Sequence, residues 1–178
     1  AAQGVNAISF TGSVGIGRIV AQAAAANLAE ISLELGGKNP VIVDRTADMQ
    51  TAAATIAAFR NLNNGQVCLC PENIWLPEEV ADEFLVMVQG AFQAMFYKDG
   101  KLNPDTNGKI IDERNLQRVK GYIDDAREKG ATIVCGGEVE NQAMHPTLLT
   151  DVPANATILG EEVFGPILNV VTYKNTDE

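Results

Sequence analysis

The stretch Asn63–Cys70 reads NNGQVCLC, and it sets Cys68 directly behind a Gly-Gln pair. A loop of that kind after a helix lets backbone amides converge on the sulfur. Amides so aimed lower a thiol's pKa and can later hold an oxyanion, which is the setting a nucleophile needs. The competing reading is a packed thiol, because free cysteine is among the most buried residue types. Cys70 and Cys135 lack this context and read as structural. A cysteine nucleophile is usually served by a base, and His145, the one histidine, stands before a proline in AMHPTLL. A carboxylate is the better candidate. Glu34 lies in LELGGKNP, an acid in an apolar strand just before two glycines. Facing solvent is the usual fate of glutamate. If partly buried, Glu34 would have a raised pKa and could activate a water near neutral pH.

Two further stretches can hold a ligand. Gly12, Gly15 and Gly17 fall in TGSVGIG, between a strand and an alanine-rich helical run at 18–28. They make a tight turn with a helix cap, or a helix N-terminus whose free amides favour an anion such as phosphate. The order G-x-x-G-x-G differs from the common dinucleotide fingerprint. EEVFGPI (161–167) puts two acids before an apolar-aromatic pair and a Gly-Pro turn. It is a turn into the next strand, or a carboxylate and a ring set beside a ligand that needs hydrogen bonds and a flat contact.

The elements that must position these residues alternate. Strand-like runs fall at 5–10, 30–35, 39–44, 72–77, 131–137, 145–152 and 166–173. Helical runs fall at 18–28, from a cap at Thr46 to Leu62, at 78–96 and at 112–130, with a turn-rich loop at 97–109. This alternation predicts an α/β fold with a mostly parallel sheet and flanking helices. The 178 residues, 46% hydrophobic, suffice for one sizeable core or a domain plus part of a second. A net charge of −10 argues against nucleic acid as a partner. No apolar run reaches the roughly 18–20 residues of a membrane span, and no export signal is visible, so a cytoplasmic location is expected. Three cysteines suggest reduced thiols, and Cys-x-Cys with a lone histidine does not suit zinc.

Taken together, FTGSVGIG (10–17), LELGGKNP (33–40), NNGQVC (63–68) and EEVFGPI (161–167) resemble the aldehyde dehydrogenase superfamily, in its order and with its spacing of 34 residues between Glu34 and Cys68. The proline three residues after Cys68 resembles the class 3-like and coniferyl aldehyde dehydrogenase branch. The resemblance implies NAD(P)-dependent oxidation of a small-molecule aldehyde to an acid. Cys68 would form a thiohemiacetal and then a thioester, and Glu34 would activate the hydrolytic water. It implies that Gly12, Ser13 and Gly17 lie against the pyrophosphate of NAD or NADP, and that Glu162 and Phe164 meet the nicotinamide ribose and nicotinamide. It also implies a tail end of a dinucleotide-binding domain at 1–35 and an incomplete catalytic domain at 36–178. The longer parent would be a homo-oligomer, and these residues by themselves would be inactive. Left open are a cysteine-dependent hydrolase or acyltransferase, and a non-catalytic binding domain with the same fold.

Overall fold

The computed structural model describes residues 4–175 and 177. Their contacts form two compact units, the first ending at Gly37 and the second beginning at Lys38.

The first unit is a β-α-β element. Strand β1 (Ala7–Thr11) leads into helix α1 (Val14–Ala25), which returns to strand β2 (Glu30–Glu34). The strands are parallel, with Thr11 opposite Glu34. Helix α1 begins four residues earlier than the alanine-rich run suggests. Ser13 supplies the cap, its Oγ accepting the Ile16 N–H at 3.5 Å. Gly15 and Gly17 therefore lie inside the helix. At Gly17 an added Cβ would run into the Leu35 side chain, so the missing side chain lets the helix sit close to the segment after β2.

The second unit starts with β3 (Asn39–Ile42), α2 (Met49–Arg60), β4 (Pro71–Pro77) and α3 (Ala81–Phe96). A small hairpin, β5 (Tyr97–Lys98) and β6 (Lys101–Leu102), precedes α4 (Glu113–Glu128) and β7 (Thr132–Cys135). A second hairpin, β8 (Val139–Glu140) and β9 (Ala143–Met144), is followed by β10 (Thr147–Thr150), the short α5 (Thr157–Gly160) and β11 (Ile167–Tyr173). The five-stranded sheet runs β3-β4-β11-β10-β7, parallel except where β7 meets β10.

Successive strand residues point to opposite faces, and two cores result. Leu148, Leu168 and Val170 pack with Ile56, Phe84, Val88 and Phe92 of α2 and α3. Leu149 and Ile167, one position away, pack with Leu116, Val119 and Ile123 of α4 and with Ile158 of α5. Each such side chain contributes about 1.5–3 kcal/mol on burial. Ala53 and Ala57 are fully buried, and their small size lets α2 approach α3 and the sheet. The cap of α2 is Asp48, whose carboxylate accepts the Thr51 N–H at 2.8 Å, and not Thr46, which bonds the Asp44 carboxylate instead. The turn-rich loop at 97–109 holds the β5–β6 hairpin, whose corner residues Asp99 and Gly100 both have positive φ.

Candidate active site

Between the end of α2 and the start of β4, the chain turns sharply at Leu62–Gly65, where Asn63 and Asn64 both take the left-handed conformation, and then makes the tight turn that carries Cys68. The Cys70 N–H donates to the Val67 carbonyl at 3.0 Å, which leaves Cys68 and Leu69 at the exposed corner. The amide of Asn39, at the start of β3, clamps this corner from below. Its Nδ2 donates to the Cys68 carbonyl at 2.7 Å and to the Cys70 carbonyl at 2.9 Å. Among the described residues no group accepts the Cys68 N–H.

The flanks of the loop are fixed as well. The Arg60 guanidinium is 1% exposed and donates to the Gly65 carbonyl at 2.7 Å and the Pro71 carbonyl at 2.8 Å, holding the loop at both ends. Burial pulls this guanidinium below its usual pKa, while Cys70, Glu72 and Glu162 oppose that shift; arginine stays charged regardless. Gln66 joins the loop to the chain before α4. Its Nε2 donates to the Lys109 carbonyl and its Oε1 accepts the Ile111 N–H, both at 2.9 Å.

The other thiols have different surroundings. Cys70 is buried, its Sγ donates to the Phe59 carbonyl at 3.0 Å, and burial raises its pKa. Cys135 is half-buried, and burial pushes its thiol up to about 11. His145 sits in a cluster of its own, with Nδ1 at 2.9 Å from the Tyr97 hydroxyl and Nε2 at 3.9 Å from Glu140. Among the described residues no His/Cys/Asp/Glu group is arranged to hold a metal.

The loop carrying Glu162 and Phe164 packs directly on the Cys68 loop. Gly65 has φ +75°, and a Cβ there would collide with the Gly165 carbonyl and the Pro166 nitrogen. Phe164 has φ +48°, a left-handed conformation that side chains rarely adopt, and its ring is partly exposed. Glu162 is half-buried. In the second unit the loop that carries Cys68 thus meets the loop that carries Glu162 and Phe164.

The first unit groups the other four. Glu34 ends β2 with an exposed side chain, not the partly buried one that the sequence-based reading of a general base asked for, because it sits at the open end of a two-stranded sheet; its carbonyl accepts the Gly12 N–H at 3.0 Å. Ser13 caps α1 and Gly17 is buried at the end of its first turn. The first turn of α1 carries no acidic side chain, and residues 11–16 are all exposed. A phosphate group fits such a helix end. On the second unit, Glu162 and Phe164 offer a hydrogen-bonding carboxylate and an exposed ring, which fit a ribose and a flat heterocycle. Asn39, Arg60 and Gln66 escaped the sequence reading as site residues. Asn39 and Gln66 lie inside the quoted motifs, which is the one signal that could have singled them out.

A sequence model of the aldehyde dehydrogenase family matches residues 1–178. A probable coniferyl aldehyde dehydrogenase of Caulobacter vibrioides is 42% identical over 176 residues, covering 95% of this chain and 36% of the relative. A succinate-semialdehyde dehydrogenase [NADP(+)] of Escherichia coli is 39% identical over 174 residues, covering 96% of this chain and 36% of that protein. Among solved structures, an E. coli NADP-dependent enzyme superposes with a TM-score of 0.89 at 38% identity, over 97% of this chain and 37% of the other. A Mycobacterium tuberculosis aldehyde dehydrogenase complexed with NAD+ gives 0.86 at 32% identity, over 97% and 37%. The chain therefore spans a little over a third of the length of these relatives.

Proposed function

The chain belongs to the aldehyde dehydrogenase family, and from that premise we propose that the protein carrying it oxidises an aldehyde to a carboxylic acid with NAD or NADP, using Cys68 as the nucleophile. The observation that carries this reading is the Cys68 corner. Its sulfur is exposed, its backbone is clamped by Asn39, and among the described residues no group accepts its N–H. The thiolate attacks the carbonyl carbon, an S–C bond forms, and the π electrons move onto oxygen. The Cys68 N–H donates to that oxyanion, stabilising charge that is absent in the free aldehyde. Bound NAD or NADP supplies the hydride acceptor for the carbonyl carbon. Gly12, Ser13 and Gly17 would hold its pyrophosphate, Glu162 its nicotinamide ribose, and Phe164 the nicotinamide. The oxidised carbon stays on Cys68 as a thioester. Glu34 is the general base that takes a proton from the water as it adds to the thioester carbon; the C–S bond then breaks, the acid leaves and the Cys68 thiolate is restored.

The names of the relatives support an aldehyde as substrate, with coniferyl aldehyde as the class to test first. We further propose that residues 1–35 belong to a cofactor-binding domain, that residues 36–178 belong to the nucleophile-bearing domain, and that the 178 residues by themselves turn over little aldehyde. Among the described residues no helix is long and apolar enough to cross a membrane. The test compares wild type and Cys68→Ala, in a protein of the relatives' length, for NAD(P)-dependent oxidation of a panel of aldehydes. Nucleotide-dependent turnover that falls by about 10⁴-fold or more in Cys68→Ala is the expected result for a lost nucleophile. Ester hydrolysis with no nucleotide-dependent oxidation contradicts it.

A further inference from the structure

Below the Cys68 corner lies a carboxylate that the catalytic scheme does not use. Glu72, the second residue of β4, is 2% exposed. Its Oε2 accepts the Lys38 ammonium at 2.6 Å, and its Oε1 accepts the Val163 N–H at 2.8 Å, with Arg60 Nη1 at 3.6 Å. Lys38 Nζ also donates to the Ile158 carbonyl at 2.5 Å. The other end of Val163 is held too, its carbonyl accepting Arg118 Nη1 at 2.9 Å.

We propose that Glu72 is the positioning residue that sets the nucleophile loop and the Glu162–Phe164 loop in register, an inference that rests on the reading of Cys68 as nucleophile. One carboxylate meets three segments that are far apart in sequence. Lys38 precedes Asn39, whose amide clamps the Cys68 carbonyl. Arg60 holds Gly65 and Pro71 at the two ends of the loop. Val163 stands between Glu162 and Phe164 and is fully buried. A residue gripped through both its N–H and its carbonyl leaves its neighbours little freedom, and Phe164 needs such restraint to hold φ +48°. Stability alone is a weak reason for this arrangement. Buried ion pairs are often no more stabilising than apolar side chains of the same volume, because removing the charges from water offsets their attraction. Fixed geometry is what the apolar replacement cannot supply.

That difference gives the test. Lys38→Met with Glu72→Met replaces the pair by apolar side chains in a protein of the relatives' length. Glu72→Asp keeps the charge but shortens its reach. Melting temperature, kcat, the Kd of NAD or NADP without aldehyde, and hydrogen exchange of the peptide containing Val163 are measured on each. The double variant is expected to melt lower, since the buried Val163 N–H loses its acceptor and Arg60 its neighbouring carboxylate, yet to remain folded at assay temperature, with kcat lowered and the nucleotide Kd raised, each by about tenfold or more, and faster exchange at Val163. Glu72→Asp is expected to fall between the two. Wild-type kcat, Kd and exchange in a folded double variant overturn the inference. Should the double variant not fold, Glu72→Asp decides alone: weakened kcat and Kd in a folded protein support the inference, and wild-type values overturn it. A Cys68→Ala control separates the two levels. Turnover that survives in it refutes the nucleophile, whereas turnover lost in it together with wild-type behaviour of the Glu72 variants refutes only the positioning role.

Discussion

Three thiols share this chain, and their surroundings rank them. Cys68 stands exposed on a turn, Cys70 is buried, and Cys135 is half-buried with a thiol pushed up to about 11. Thiolate is the reactive form, so at pH 8 a thiol with so high a pKa is almost wholly protonated. Limiting iodoacetamide at pH 8, followed by peptide mass mapping, is expected to label Cys68 first and Cys135 only as the pH is raised towards 11. Preferential labelling of Cys70 or Cys135 contradicts this ranking. The candidate residues were readable from type and setting: a cysteine after Gly-Gln, and a glutamate before two glycines. Their supports were not. Asn39 reaches Cys68 across 29 positions, and Glu72 reaches Val163 across 91. No local pattern encodes a contact of that range. It exists only after β3, β4 and β11 have paired and brought their flanking loops together.

At the scale of elements, α2, β4 and α4 aim the site by setting where two loops touch. Gly65 sits at that contact with a positive φ and the Gly165–Pro166 backbone against it. Gly65→Ala is expected to cost about 2–4 kcal/mol, combining backbone strain with a clash that no side-chain rotation relieves. Gly90, inside α3, has nothing within 4 Å of an added Cβ. Gly90→Ala is expected to stabilise by about 0.5–1 kcal/mol through helix propensity. Thermal melts of the two variants should therefore shift in opposite directions, and similar shifts contradict the packing described. The alternation of strands and helices was legible because apolar runs and turn residues are local signals. Helix starts were less so. Residues 14–17 read as a loop because two are glycines, yet Ser13 caps a helix there and Leu35 requires Gly17 to be small. At α2, Asp48 displaced Thr46 as the cap because Thr46 is already bonded to Asp44. The two hairpins and the four-residue α5 were too short to leave a periodic signature.

Across the whole molecule, acid should act through the helix caps. The Asp48 carboxyl is held below the ordinary 3.8 by the Thr51 backbone N–H, and Asp112 likewise by the Asn115 backbone N–H. Asp125 is held down by Lys129 and then by the Thr157 backbone N–H. A group whose folded pKa is lowered adds stability that is complete above its unfolded value and lost as the pH falls through the folded one. The melting temperature is therefore expected to change little between pH 7 and 5 on account of these groups and to fall below pH 4. A melt as high at pH 3 as at pH 6 contradicts that assignment. The central claim, that Cys68 makes the bond to the aldehyde carbon, is tested most directly by trapping. A protein of the relatives' length is mixed with aldehyde and excess NAD(P), quenched in acid within one turnover, and mapped by mass. The acyl mass on the peptide holding Cys68, absent when NAD(P) is withheld, is the predicted result; the same mass on another residue, or turnover with no acyl-enzyme and undiminished in Cys68→Ala, would contradict it.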